Sequence, residues 1–363
     1  AKVIKNHDHF PDIICEIETY RGCPRQQHCS FCYEALFTDL DVRTIKDVLY
    51  EIDELIEYGV KRFRIGRQAD ILQYQTEFKE FKNGFPRPNP KAVIELFEEL
   101  YSRRKEGKIE TLNIDNANPG TISNFPTESK AMLLAIAKAV SPGDTIALGV
   151  ESFDPVVIQK NNLKVHAEEL IHAIELINSI GAKRDKGIPK LLPGINLIHG
   201  LKGESGETFK KNFEELLSIK DSGLLLKRIN IRKLTPFPGT VMANKKEVLS
   251  KKVINRFEYF REKIRSEIDL PMLKSIYPAG TLIENVKIFE CNNGYVRGKQ
   301  IASYAITIHI PLELELYSMH DVVIIQHKER SLLGLPIPIK INELQANVLS
   351  LISGISKKTA GTI

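Results

Sequence analysis

From about Ile13 to Leu234 the chain alternates short apolar runs with longer amphipathic stretches. The apolar runs read as strands over Ile13–Ile17, Arg62–Gly66, Thr111–Asp115, Thr145–Val150, Gly194–Ile198 and Arg228–Leu234. Between them Thr44–Tyr58, Pro90–Arg104, Glu128–Val140, Ala167–Ile180 and Gly206–Ser218 read as helices. This alternation is the signature of repeated βα units on a parallel sheet. Periodicity alone fits a partial (βα)6 barrel and an open doubly wound sheet equally well.

A parallel strand covered on both faces is almost continuously apolar. Several of these runs are not. Asn113 and Asp115 alternate with Leu112 and Ile114, Glu151 follows the run to Val150, and Asn196 interrupts Ile195 and Leu197. Asn230 and Arg232 alternate with Ile229 and Ile231. In a barrel such side chains line the upper interior, near the C-terminal strand ends where active sites sit. Solvation of a strand end explains Glu151 as well, and explains Asn230 with Arg232 less well.

The pattern changes after Leu234. A helix is expected from about Glu247 to Glu267, with a polar face rich in Lys and Arg. From about Ile276 to Ile341, period-two alternation appears in Leu282–Phe289, Tyr295–Gln300, Ala305–Ile310 and Asp321–His327. With Asn292-Asn293-Gly294 as a turn, this predicts a small antiparallel β-barrel. The tail Asn342–Ile363 predicts a helix, a hairpin at Ser353–Lys358 and the start of a second helix. The expected domains are 1–270, 271–341 and 342–363.

Length and composition narrow the class. The 363 residues are enough for one large domain and one or two small ones. With 42% hydrophobic residues a full core is possible. No apolar run reaches the length of a membrane span and no signal peptide opens the chain, so no membrane partner is expected. The first residue is Ala, which suggests a trimmed or processed chain. Five cysteines, three of them clustered, do not resemble a disulfide framework; a reducing cytoplasm is expected. A net charge of +5 permits a nucleic-acid partner without demanding one.

The clustered thiols are Cys23, Cys29 and Cys32, spaced C-x5-C-x2-C. Thiolates are the soft ligands that hold iron–sulfur clusters. Three of them on a four-iron cluster leave one iron without a protein ligand, open to chemistry. The alternatives are inert core thiols or a structural zinc, for which Cys15 or His28 would supply the fourth ligand. Cys15 lies on a strand and suits core packing; Cys291 lies at a turn.

The segment Glu18-Thr19-Tyr20-Arg21-Gly22-Cys23-Pro24 through Cys32 resembles the radical SAM superfamily. That resemblance implies a [4Fe-4S] cluster on Cys23, Cys29 and Cys32, with S-adenosylmethionine (SAM) bound to its open iron by the amino and carboxylate groups. It implies that Phe31, just before the last cysteine, packs on the adenine. Gly66-Arg67-Gln68-Ala69-Asp70 stands where members carry a Gly-Gly-Glu-like stretch for the SAM amino group, with one glycine and Gln68 in place of the acid. Gly149-Val150-Glu151-Ser152 looks like the ribose-contacting segment. Gly194-Ile195-Asn196-Leu197-Ile198 resembles the motif around adenine and ribose, with Asn196 and Ile198 in contact. Pro236-Phe237-Pro238-Gly239-Thr240 resembles the same position in tRNA methylthiotransferases and the Elongator catalytic subunit.

The narrower wording looks like archaeal radical SAM proteins with a C-terminal helix-hairpin-helix. The β-rich segment resembles the RNA-binding TRAM domain, and Lys357 and Lys358 at the hairpin would meet phosphate. The second-cluster domain of methylthiotransferases, with three more cysteines, has no counterpart here. The expected function is an enzyme that makes a 5′-deoxyadenosyl radical and modifies RNA, most simply tRNA. The resemblance implies a reductant such as ferredoxin or flavodoxin as electron donor. Asp115, Asn230 and Arg232 are candidates for substrate contact or proton handling. A protein side chain as substrate, or a nucleic-acid-binding protein with a structural metal, are the rival readings.

Overall fold

The computed structural model describes residues 4–36, 39–243 and 251–362. Six parallel strands build the larger body: β1 (Cys15–Glu18), β2 (Arg62–Gly66), β3 (Thr111–Ile114, resuming at Asn116–Ala117), β4 (Asp144–Glu151), β5 (Leu191–His199) and β6 (Arg228–Lys233). The ladders run β1-β2-β3 and β3-β4-β5-β6. Asp115 joins the two halves. Its N–H donates to the Ile65 carbonyl at 3.0 Å and its own carbonyl accepts from Ala147 N–H at 3.3 Å. The strands therefore follow chain order from end to end. A doubly wound sheet reverses its order at a switch point; this one does not, so it is a barrel wall. Among the described residues β1 and β6 share no ladder.

The helices between the strands are α1 (Ile45–Glu57), α2 (Pro90–Lys105), α3 (Pro126–Ala139), α4 (Ala167–Gly181) and α5 (Gly206–Asp221). Each covers the sheet with one apolar stripe. In α1 the buried residues are Val48, Ile52 and Leu55, one helical face. Thr44 caps it by accepting from Asp47 N–H at 3.1 Å, which is worth about 1 kcal/mol. Ser205 does the same for α5.

A long helical stretch then returns across the body. It comprises α6 (Lys251–Ile264), a π turn over Arg265–Asp269, and α7 (Leu270–Ile276). Its expected start at Glu247 lies outside the described residues. Pro271 explains the π turn: proline lacks an N–H and its ring crowds the carbonyl four residues back, so a wider turn precedes it.

The C-terminal β region closes into a barrel of β7 (Leu282–Asn292), β8 (Tyr295–Gln300), β9 (Ile308–Ile310), β10 (Met319–His327) and β11 (Leu332–Pro336), in the order β7-β8-β9-β11-β10. It departs from the expected antiparallel barrel at one seam. β9 and β11 run parallel, with Ile308 opposite Leu332. β11 was not legible as a strand because Leu332-Leu333-Gly334-Leu335 lacks period-two alternation; its run is buried throughout. The expected strand from Ala305 begins only at Ile308, and the preceding residues form a loop.

This barrel docks beneath the N-terminal ends of the parallel strands. Its core, around Ile283, Val286 and Ile308, takes in Ile188 and Leu192 from the entry to β5 and Leu273 and Ile276 from α7. Lys287 pairs with Asp12, just ahead of β1, at 2.6 Å, and Lys186 pairs with Glu284 at 2.7 Å. The tail holds two single-turn helices, Ala346–Leu349 and Lys357–Ala360, joined through a turn at Gly354. Val348, Leu349 and Ala360 are buried, and Lys357 and Lys358 are exposed. Among the described residues no helix is long and apolar enough to cross a membrane.

Candidate functional site

The cysteine loop leaves the C-terminal end of β1. It turns at Gly22, whose φ of +98° suits glycine and whose Cβ, if present, would lie 2.9 Å from Leu40 Cδ2. Cys23, Cys29 and Cys32 then line one cavity of about 400 Å³ at the upper end of the strands. The loop is pinned to the turn after β4: Ser30 N–H donates to the Asn161 carbonyl, and Ser30 Oγ to Asn161 Oδ1 at 2.7 Å. Arg25 reaches back so that Nη1 lies 3.2 Å from Cys29 Sγ. Its guanidinium is oriented by the carbonyls of Asn162 and Leu163 and lies over the Phe85 ring.

Burial pushes the Cys23 thiol up to about 11, against the pull of the Arg25 backbone amide and charge, and raises Cys32 as well. A metal ligand must be a thiolate. Burial therefore disfavours the thiolates, and a bound cationic centre would reverse that. Among the described residues no three His, Cys, Asp or Glu side chains close on a single ion. Cys15 is the first residue of β1, opposite Phe63 and packed on the core, at the far end of the strand from the loop. His28 lines the cavity with Nε2 3.2 Å from the Cys23 carbonyl.

Glu151 forms the polar heart of the upper wall. It ends β4 at a φ of +67°, a left-handed conformation uncommon for a side-chain-bearing residue. Such strain collects at functional positions. The side chain is 6% exposed and meets Lys164 Nζ at 3.4 Å through Oε1. Its Oε2 is buried with no hydrogen-bond partner. Burial raises the carboxyl's pKa, and Lys164 and Arg232 oppose that rise. Burial works against the Lys164 charge too, but Glu151, Cys29 and Cys32 outweigh it and raise its pKa. Lys164 also donates to the Gly149 carbonyl at 3.0 Å. Phe31, Asn196 and Ile198 line the same cavity. Phe31 and Ile198 belong to a small apolar cluster with Leu201 and Leu163, forming a shelf beside the cysteines.

Three expected contacts fall outside this cavity. Gly66 packs against Glu16, whose Oε1 would be 2.4 Å from an added Cβ. Gln68 is 0% exposed, turned down to accept from Thr19 Oγ1 at 3.4 Å and to donate to the Ile65 carbonyl. Only Ala69 of that stretch lines the cavity. Ser152 is buried on the helix side, accepting from Asp154 N–H at 3.1 Å and lying 3.4 Å from Asn212 Oδ1. In each case the residue takes a packing or turn-holding role beside the cavity. Pro236–Thr240 packs on the turn after the cysteines, with Phe237 edge-on to Tyr33 at 4.6 Å between ring centres.

The floor carries Asp115, and Asn230 and Arg232 climb the wall above it beside Asn196 and Ile198, with partners that sequence reasoning missed. Arg64 of β2 pairs with Asp115 at 2.5 Å. Tyr304, from the loop between β8 and β9 of the small barrel, rises into the cavity. Its hydroxyl donates to Asp115 Oδ1 at 2.9 Å and accepts from Arg64 Nη2 at 3.0 Å. Ser303 N–H donates to Asn113 Oδ1 at 2.7 Å and anchors that loop. Arg228 lies over the Tyr304 ring, 4.6 Å from its centre. Asn230 is 3.0 Å from Asn196 Oδ1, and with its oxygen turned toward Arg232 it accepts from Nε at 2.6 Å. Extending the Asn230, Arg232 alternation back by two residues would have found Arg228. Arg64 alternates with Phe63 and Ile65 in the same way. Nothing local marks Tyr304, Arg25 or Lys164.

A model of the Radical SAM superfamily matches residues 17–216. An uncharacterized protein of Methanocaldococcus jannaschii is 42% identical over 341 residues, covering 92% of this chain and 62% of the relative. One from Archaeoglobus fulgidus is 39% identical over 355 residues, covering 98% of this chain and 65% of the relative. The chain thus spans just under two thirds of these two relatives. A solved structure of the radical S-adenosylmethionine methyltransferase TsrM from Kitasatospora setae, with tryptophan and a SAM analogue bound, is 16% identical. The match has a TM-score of 0.46 and covers 64% of this chain and 38% of that one.

Proposed function

The chain belongs to the radical SAM superfamily, and on that premise we propose that Cys23, Cys29 and Cys32 hold a four-iron cluster whose open iron takes SAM. The family uses a [4Fe-4S] cluster and SAM, and needs an external reductant, for which a ferredoxin or flavodoxin is suited. When bound, the cluster supplies one electron that breaks a carbon–sulfur bond of SAM, and the 5′-deoxyadenosyl radical so released removes a hydrogen atom from the substrate.

One observation carries this reading: three thiols and Glu151 line a single cavity, and Glu151 Oε2 is buried with no hydrogen-bond partner. The orphaned oxygen is an acceptor waiting for a donor, and a ribose hydroxyl supplies one. Lys164 favours the ionised carboxylate. Phe31 and Ile198 offer the adenine an apolar shelf, and Asn196 a polar edge. Asp115, Asn230 and Arg232 lie on the substrate side. The chain's own task is to exclude water and place one C–H bond close to the radical.

The finer reading is modification of RNA, with tRNA methylthiotransferases as the pattern. The closed five-stranded barrel and the exposed pair Lys357 and Lys358 support it. Anaerobic reconstitution tests the chemistry: about four irons per chain and 5′-deoxyadenosine on reduction are expected. A colourless protein that never turns over SAM would remove the reading. Nucleoside analysis of RNA from cells with and without the gene tests the substrate; unchanged nucleosides would turn attention to a protein side chain.

A further inference from the structure

One wall of the cavity carries positive charge without matching negative charge. Arg228, Asn230 and Arg232 share one face of β6, because alternate residues of a strand point the same way. All three line the cavity. Its other cations are matched. Arg64 meets Asp115, Lys164 meets Glu151, and Arg25 faces the Cys29 sulfur. Arg232 has the amide of Asn230 but no carboxylate within ion-pair reach among the described residues.

Arg228 is the less satisfied of the two. It is half-buried, and among the described residues none of its N–H donors meets a protein acceptor. A guanidinium presents five such donors and stays protonated in proteins. Burial lowers its pKa and the Tyr304 hydroxyl pulls the other way; Arg232, Arg330 and Arg64 all press on it as like charges. Tyr304 holds it in place from beneath, and Tyr304 is itself tied to Asp115 and Arg64. A fixed, desolvated fork of donors among other cations is a site that an anion relieves.

We propose that Arg228 and Arg232, with Asn230 between them, seat an anionic group of the molecule whose C–H bond is attacked, either a phosphate or a carboxylate. The assignment rests on the radical SAM reading for the word substrate, but the seat itself does not. Arg228 opens β6 at the end of the cavity away from the cysteines, and Arg232 lies four residues further up the same face, beside Ile198. A molecule anchored there by its charge presents its neutral part upward, toward the SAM side. Arginine forks suit this role because two parallel N–H···O bonds fix orientation as well as position.

Calorimetric titration of the reconstituted, oxidised protein with SAM present tests the seat, with inorganic phosphate and acetate as separate probes. One site per chain is expected for at least one probe. Preference for phosphate indicates a phosphorylated or nucleotide substrate, and preference for acetate a carboxylic acid. Arg228→Gln should weaken the preferred anion tenfold or more, and Arg228→Lys should recover part of the loss. Lys210→Gln, which removes a charge from the exposed face of α5, should change nothing. Should Arg228→Gln not fold, Arg232→Gln at the exposed end of the row carries the same expectation. Binding of neither anion, or equal binding by the glutamine variants, would overturn the proposal. If the wild-type chain bound the anion through Arg228 yet never bound or cleaved SAM, the radical SAM reading would fall and the seat would stand.

Discussion

The upper and lower ends of the parallel body are built by different means. At the upper end the functional groups sit on strand tips or on the loop that leaves one: the cysteines lie on the loop after β1, Glu151 ends β4, and Asn196 and Ile198 lie near the end of β5. The lower end is closed by another part of the chain. Tyr304 reaches Asp115 across 189 residues, and the small barrel beneath it shares its core with the entry to β5. The upper end is thus a set of local motifs gathered by the barrel, and the lower end is an interface. Substitutions above should strike cofactors first. Substitutions below should strike stability and substrate first.

The largest effect is expected at the cysteines. Cys29→Ala should abolish iron retention and SAM cleavage together, whereas Cys291→Ala, exposed at the end of β7, should keep both. Iron and 5′-deoxyadenosine measured side by side check this; full activity in Cys29→Ala would move the cluster elsewhere. Next comes Glu151→Ala. Loss of a hydrogen bond to a charged group costs about 1.5–3 kcal/mol, so SAM binding should weaken roughly ten- to a hundredfold with iron retained. Unchanged SAM affinity would place Glu151 outside the SAM site.

At the lower end, Tyr304→Phe removes the hydroxyl from Asp115 and Arg64. Unfolding stability should fall by about 1–3 kcal/mol in urea titrations. A variant with full stability would mean the hydroxyl does not bind the two bodies together. Asp269, in the π turn facing the small barrel, adds a pH signature. Burial lifts its carboxyl to about 7, opposed by Arg330 and Arg265 and aided by Glu329. A carboxyl whose folded pKa lies above its unfolded value contributes stability at low pH that is lost as pH rises, here between about 4 and 7. Asp269→Asn should remove that loss, so its stability relative to wild type should be greater at pH 8 than at pH 5. Equal differences at both pH values would place the carboxyl in water. The smallest effect is expected at the tail. Changing Lys357 and Lys358 to Ala should lower the salt slope of RNA binding by about one for each of the two lysines that neutralises a phosphate. An unaltered slope would mean that neither lysine touches phosphate.

How much of this was legible beforehand follows the same division. The spacing of Cys23, Cys29 and Cys32 depends on a few consecutive residues, and so does the acid after the apolar run to Val150. The strands of the barrel wall were readable because burial on both faces demands apolar runs, and Asn113, Asp115, Asn196, Asn230 and Arg232 were readable as departures from that demand. Gln68 and Ser152 stand off the cavity, which was not legible because periodicity tells which face of a strand a residue occupies but not where the chain turns once the strand ends. There Thr19 and Asn212, each about 50 to 60 residues away, decided their orientation. β11 and its parallel seam with β9 were hidden because a short, fully buried strand shows no alternation.

Sequence alone therefore determined the order of strands and helices in the larger body, the thiol triplet and the polar row that opens into the barrel. Tertiary structure decided which of those groups share a cavity, that Lys164 and Arg25 stand among the thiols, and that Tyr304 closes the floor beneath Arg228. The physical reason is range. Period and spacing record constraints between neighbours on one element, whereas a cavity is made by side chains whose only relation is that folding brings their backbones within reach of one another.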